Sequence, residues 1–303
     1  MLKRLAFSFM AAALAAAVVA RSWTRTAKDL VLADGEGGAF DSRTEVLLGS
    51  FKIPLYPSGK PKQYVSDVVV ADAETRELSP ARITVNHPLR KNGWWIYQMS
   101  FGEDELGRLN TLLRGVRDPL LPLAAVAGIL LLAGALLLCF APSREIPAPR
   151  SRLRAALSWT AGAAAVSLPA FIIGRAVLRP EPVPALQSAL MAPHVGAYAA
   201  SCAILLFAAA GIGRRAVPLG FFLMTVGLVV GAVWGKMAWG DWWQFDPKEN
   251  WSLATWCAFA VHLLLPAKSK WSRVFLWVGA VLLVVTLTWV NFSRFASGLH
   301  SYA

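Results

Sequence analysis

Apolar residues run in long stretches through most of this chain, and polar residues gather in one block near its start. The hydrocarbon core of a bilayer is about 30 Å thick and takes about 20 apolar residues as a helix. Seven stretches approach that length: 5–20, 119–141, 155–178, 194–212, 217–237, 251–266 and 271–290. The first is short, alanine-rich and preceded by Lys3 and Arg4. It reads either as an uncleaved anchor or as a signal peptide cut near residues 15–17. Residues 22–117 break the pattern, being polar and punctuated by Gly and Pro. Runs of β-formers at 64–70, 82–86 and 94–98 are separated by turn-like stretches at 57–62 and 87–93. The expected fold is an all-α polytopic membrane protein of about seven transmembrane helices, with a small, mostly β extracytoplasmic domain inserted after the first helix. The expected order is an anchor or signal peptide at 1–21, the β-rich domain at 22–117, a transmembrane helix at 118–142, a basic cytoplasmic loop at 143–154 and a membrane domain at 155–303.

Composition narrows the class. Of 303 residues, 56% are hydrophobic and 16% charged, against about 25% charged in a soluble domain. A soluble enzyme and a disordered chain are both excluded. The net charge of +12, in a chain this apolar, points to positive-inside loops and a lipid bilayer rather than nucleic acid. With the N-terminus inside, the inside segments carry 11 basic residues: Lys3, Arg4, Arg144, Arg150, Arg152, Arg154, Arg214, Arg215, Lys268, Lys270 and Arg273. The short outside segments carry 5: Arg175, Arg179, Lys236, Lys248 and Arg294. That asymmetry puts residues 22–117, the loop 234–251 and the C-terminus outside. Cys139, Cys202 and Cys257 lie in apolar runs with no C-x-x-C spacing. They read as small buried hydrophobes rather than as a disulfide, zinc or redox set.

The chemistry concentrates in residues 234–251. Trp234, Trp239, Trp242, Trp243 and Trp251 fall there with Phe245, Asp241, Asp246, Lys248 and Glu249. Interfacial anchoring needs no such cluster in one loop. An indole offers a flat apolar face and one N–H donor, which suits a planar ligand with a polar edge, such as a porphyrin with its propionates. The histidines are His87, His194, His262 and His300. In this topology His194 and His300 share the outer face with the Trp-rich loop, as bis-histidine ligation of haem iron requires. Asp246 is expected to fix the loop as a cap ahead of the helix carrying Trp251, so that Asp246→Asn would weaken haem retention more than Lys248→Ala. His87 precedes a Pro and is expected in an exposed turn, not on iron.

Trp239-Gly240-x-x-Trp243-x-Phe245-Asp246-Pro247-Lys248-Glu249 resembles the tryptophan-rich "WWD" signature of the haem-handling membrane proteins of cytochrome c maturation. The segments P-H-V-G-A-Y at 193–198 and G-L-H-S-Y-A at 298–303 are similar to the two histidine segments bracketing that signature in the CcsA (ResC) family of the system II pathway. The W-x-L-x-T-W run at 251–256 matches it too. The N-terminal block resembles the partner family, CcsB (ResB), through Tyr64-x-Ser66-x-Val68-x-Val70, Val85-Asn86-x-Pro88-Leu89, Gly93 and Tyr97-Gln98-x-Ser100. The chain is thus similar to a compact fusion of the two, with a reduced partner half.

The resemblance implies haem delivery and ligation, of the holocytochrome c synthase or haem lyase type. Haem b, a transient substrate, would be held at the outer face of a bacterial inner membrane. His194 and His300 would be its axial ligands. Trp234, Trp239, Trp242, Trp243, Phe245, Asp246, Trp251 and His262 would complete the binding set. The partners would be apocytochromes c carrying C-x-x-C-H, thiol reductant proteins and a separate ResB/CcsB-like or CcsA-like subunit. No catalytic residue is named by the pattern. Two departures stand out. Phe245 occupies a position usually held by Trp and lacks the indole N–H. The family also places two histidines inside the membrane, whereas here only His262 qualifies. His262 is expected about 16 Å along its helix from Trp251, near mid-bilayer. It reads as a neutral imidazole on a helix carbonyl, a single-ligand haem stop, or half of a site completed by another subunit. A membrane electron carrier of the b type and a transporter gated by the Trp-rich loop are the alternatives.

Overall fold

The computed structural model describes residues 1–22, 25–85, 87–119, 121–141 and 185–289. Their order is helix α1 (Leu2–Ser22); strands β1 (Thr26–Ala33), β2 (Gly37–Ala39), β3 (Thr44–Lys52), β4 (Val65–Asp72), β5 (Glu77–Thr84), β6 (Leu89–Lys91), β7 (Trp94–Glu103) and β8 (Leu109–Arg117); then helices α2 (Leu121–Phe140), α3 (Ala185–Ala209), α4 (Val217–Trp239), α5 (Pro247–Leu264) and α6 (Lys270–Leu287). Two compact units result. One holds Val19–Pro122 with Gly235–Trp242; the other holds Met1–Val18, Leu123–Trp234 and Trp243–Ala303.

The β unit is a pair of four-stranded antiparallel sheets, ordered β1-β8-β7-β6 and β2-β3-β4-β5. In β3 the side chains of Thr44, Val46 and Leu48 are buried while Glu45 and Leu47 are exposed, the period-2 signature of a strand with one face on a core. A register shift between Leu48 and Ser50 returns Phe51 to the buried face. Val46 and Leu48 meet Ile83 from their own sheet and Ile96 and Leu113 from the other, all at 0% exposure. Each such side chain contributes roughly 1.5–3 kcal/mol by leaving water. The polar atoms caught between the sheets are paired: Ser66 Oγ donates to Gln98 Oε1 at 2.5 Å, and Gln98 Nε2 donates to Thr111 Oγ1 at 2.6 Å.

The helical unit has its own core, built from Met10 of α1, Leu138 of α2, Leu205 of α3, Phe221 and Met224 of α4, Phe259 of α5 and Leu283 of α6. Close approach depends on glycine. A Cβ at Gly279 would lie 2.9 Å from the Phe259 ring, and one at Gly134 would lie 2.7 Å from Met10 Cγ. Trp256 Nε1 donates to Thr225 Oγ1 at 2.9 Å, satisfying a buried indole in an apolar surround.

The expectation of an all-α protein with about seven spans does not hold. Among the described residues there are six α-helices, and five stretches are long and apolar enough to cross a membrane: Leu2–Val19, Leu123–Phe140, Leu190–Ala209, Arg214–Trp239 and Lys270–Leu287. The stretch read as a span at 251–266 forms helix α5, but that helix starts at Pro247 and takes in Lys248, Glu249 and Asn250, too polar a set for a span of its length. The N-terminal part, read as mostly β over 22–117, holds eight strands in two antiparallel sheets between Thr26 and Arg117, which an all-α class leaves out. The span expected at 155–178, the basic stretch 143–154 and His300 lie outside the described residues. Multi-pass membrane character itself follows from the five apolar helices. Of the cysteines, Cys202 is buried and Cys139 half-buried, but Cys257 is exposed, so the expectation of three buried thiols fails at that position.

Candidate functional site

Helix α4 runs apolar to Trp239 and stops at Gly240, whose φ of +84° is the left-handed conformation that ends helices. Glycine is also required for space: a Cβ there would lie 2.9 Å from Tyr97 Cε2 and 3.1 Å from Val116 Cγ2. The last turn of α4 and the residues after it are tied to the strands. Lys236 Nζ lies 2.9 Å from Asp118 Oδ2, with side-chain exposures of 4% and 6%. It also donates to the Gly240 carbonyl at 3.1 Å. Tyr97 Oη donates to the Lys236 carbonyl at 2.9 Å, and burial pushes this phenol above its usual range, so it stays protonated. Arg25 Nη2 pairs with Asp241 Oδ2 at 2.9 Å. Removing one member of a buried ion pair leaves the other charge uncompensated, at a cost of roughly 3–5 kcal/mol.

The second half of the Trp-rich segment is shaped by Asp246 and Glu249. Asp246 is the N-cap of α5: its Oδ1 accepts from the Glu249 N–H at 2.8 Å. Glu249 Oε2 accepts in return from the N–H groups of Gln244 at 2.6 Å and Asp246 at 3.4 Å. This reciprocal capping box, with Pro247 in the first helical turn, is the local structure that D-P-K-E encodes. The residue before the cap is strained. Phe245 has φ +59° and its side chain is largely exposed, a backbone state costing about 1–2 kcal/mol for a residue with a Cβ.

The predicted site residues are placed as follows. Trp234 and Trp239 are buried, Trp242, Trp243 and Trp251 are half-buried, and Trp251 meets Trp289 edge-on with centroids 6.1 Å apart. Trp242 Nε1 and Gln244 Nε2 are buried and have no acceptor among the described residues. Each is, taken by itself, a donor that an acceptor oxygen of a ligand such as a carboxylate would satisfy. His194 lies on α3 with Nδ1 2.7 Å from the Gly227 carbonyl. A carbonyl only accepts, so Nδ1 carries a proton, and in a neutral ring that leaves Nε2 as the basic nitrogen, the tautomer that ligates a metal. Gly231 makes room for that ring, since a Cβ there would lie 2.5 Å from His194 Cε1. His87 is exposed at the turn between β5 and β6, as expected.

Helix α5 ends at Leu264, so His262 sits in its last turn. Its Nδ1 is 2.7 Å from the Ser272 carbonyl and 3.0 Å from Ser272 Oγ on α6. It lines a cavity of about 540 Å3 together with Lys3, Arg214, Arg215, Lys268 and Arg273. Sequence reasoning missed Arg25, Asp118 and Gln244 altogether. Tyr97 was legible only through the ResB-like motif that contains it, and the role of Glu249 only through the D-x-x-E spacing.

Residues 208–300 match the family described as cytochrome C assembly protein, and residues 22–120 match the ResB-like family. Curated relatives carry the name cytochrome c biogenesis protein CcsA. That of Prochlorococcus marinus (strain MIT 9303) is 40% identical over 93 residues, covering 30% of this chain and 29% of the relative. That of Porphyra purpurea is also 40% identical over 93 residues, with the same 30% and 29% coverage. That of Gloeobacter violaceus (strain ATCC 29082 / PCC 7421) is 46% identical over 95 residues, covering 30% of this chain and 28% of the relative. The chain thus spans under a third of the length of these curated relatives.

Proposed function

We propose that this chain, which matches the cytochrome c assembly family over residues 208–300 and the ResB-like family over residues 22–120, is a protein of c-type cytochrome maturation that delivers haem and promotes its ligation. The observation that carries this reading is the Trp-rich segment itself. It lies inside the cytochrome c assembly match and holds, at Trp242, a buried donor with no acceptor among the described residues. Haem b is the substrate. His194 and His300 are its axial ligands, and the fixed tautomer of His194 supports that role. The indoles of Trp234, Trp239, Trp242, Trp243 and Trp251, with the Phe245 ring, hold the macrocycle, while Trp242 Nε1 and Gln244 Nε2 serve its propionates. Asp246 shapes the segment by capping.

The thiols of an apocytochrome C-x-x-C-H motif then add to the haem vinyl groups. Each S–H adds across one C=C, forming a thioether with no leaving group and no net oxidant. Positioning of thiol against vinyl, with the iron kept reduced, supplies the acceleration. His262 serves haem on its way to the outer face. The N-terminus lies in the cytoplasm of a bacterium, and the Trp-rich segment and C-terminus face outward, which the 11-to-5 basic asymmetry supports. A separate ResB-like or CcsA-like subunit and thiol reductants are the further partners.

The test uses the purified full chain. Reducible haem should be present, should move onto a C-x-x-C-H peptide, and should be lost in His194→Gly and in His300→Gly, with added imidazole restoring it at the vacant axial position. Unchanged haem content and spectrum in both variants would refute the ligand assignment. Haem that never leaves the chain would favour the electron carrier, and absence of haem would favour the transporter.

A further inference from the structure

Eight residues at the start of the Trp-rich segment are held by three separate parts of the ResB-like sequence. Arg25 immediately precedes β1, Tyr97 lies in β7, and Asp118 immediately follows β8. These three places are neighbours. Strands β1, β8 and β7 are adjacent in one sheet, Thr26 pairs with Arg117, and Trp95 pairs with Val116. Arg25, Asp118 and Tyr97 therefore stand at one end of three hydrogen-bonded strands, a rigid base. From it, Asp118 takes the Lys236 ammonium, Tyr97 takes the Lys236 carbonyl, and Arg25 takes Asp241.

Gly240 could end α4 with its own backbone bond, since its N–H already reaches the Lys236 carbonyl at 3.1 Å. The phenol of Tyr97 adds a second donor to that oxygen, and its ring fills the space where a side chain at Gly240 would stand. Trp239 and Trp242 flank the two residues fixed in this way, Gly240 and Asp241. We propose that Arg25, Tyr97 and Asp118 are positioning residues: the ResB-like strands set the conformation of Gly235–Trp242, and with it the setting of Trp239 and Trp242 against the haem. The functional half of this inference rests on the haem reading above; the brace itself stands on the contacts.

The experiment uses the full chain in lipid nanodiscs, with Tyr97→Phe, Asp118→Asn, Lys236→Met and the Asp118→Asn/Lys236→Met double variant. Amide hydrogen exchange is read at residues 235–242 and, as a folding control, in β3 and β4. The Soret band and midpoint potential of bound haem are read in parallel. Each single variant should exchange roughly fivefold faster at 235–242, the scale of one lost hydrogen bond at about 1 kcal/mol, with β3 and β4 unchanged. The double variant should be no worse than the more affected single, because the pair acts as a unit. The haem band and potential should shift in the same variants. Unchanged exchange at 235–242 in both Tyr97→Phe and Asp118→Asn overturns the brace. Faster exchange with an unmoved haem band and potential overturns the positioning role. A wild-type chain that binds no haem overturns the haem reading, and exchange then decides the brace alone.

Discussion

Asp246 offers one carboxylate oxygen to a backbone N–H that α5 cannot satisfy internally, and Glu249 answers from the other side of the cap. Asp246→Ala should therefore cost about 1 kcal/mol, the usual worth of a cap, and the Glu249 amide should exchange roughly fivefold faster. Asp246→Asn should cost less, since an amide oxygen also accepts; comparing the two variants separates capping from charge, because Asn keeps the acceptor and loses only the charge while Ala loses both. Equal exchange in wild type and Asp246→Ala would remove the cap from the account. This residue was legible because Asp-Pro-Lys-Glu is a local pattern read within one helical turn. The partners of His194 and Lys236 were not. Gly227 lies 33 residues from His194 and Asp118 lies 118 residues from Lys236, and no local periodicity announces a contact across such distances.

Elements show the same division. Helices came through as apolar runs, and 64–70 and 94–98 were legible as strands, but β1 was not. It is polar over its exposed first half and is completed only by β8 at the far end of the unit. Strand β7 runs on to Glu103 past a register shift between Gln98 and Ser100, where alternation slips and pattern reading stops. The end of β4 carries a titratable joint. Asp72 is buried, accepts from Arg43 and from the backbone N–H groups of Glu74 and Thr75, and so holds the β4–β5 turn. The Arg43 guanidinium, with those N–H groups, lowers its carboxyl from 3.8 to about 2. A depressed folded pKa stabilises the fold above the unfolded value near 4, and that share is lost as pH falls through about 2. Thermal midpoints should therefore drop more steeply from pH 5 to pH 2 in the wild type than in Asp72→Asn. Parallel slopes would show that Asp72 carries none of the acid sensitivity.

At the scale of the whole molecule, orientation is a question of parity. The 11-to-5 basic asymmetry favours a C-terminus on the side opposite Lys3, which takes an odd number of crossings. Helix α5 has 18 residues, about 27 Å at 1.5 Å per residue, long enough to cross, yet polar at its start. A reporter fused after Ala303 should be active only when it is of an extracytoplasmic type. Cytoplasmic activity would withdraw the proposed outer face from His300. Sequence hydropathy could not settle this helix because its polar turn, Lys248 to Asn250, caps and shapes the Trp-rich segment instead of dissolving in lipid.

The ammonium of Lys3 ties the first helix to the end of α5 by donating to the carbonyls of Leu263 and Leu265, 260 and 262 residues further along the chain. A ribosome adding about 5–20 residues per second reaches those acceptors only on the order of tens of seconds after Lys3 has emerged. Met10 and Gly134 are both available earlier, once α2 has been made. Synthesis therefore supplies the two contacts of α1 in order: its packing partner on α2 first, and the carbonyl acceptors of Lys3 only when α5 has been made.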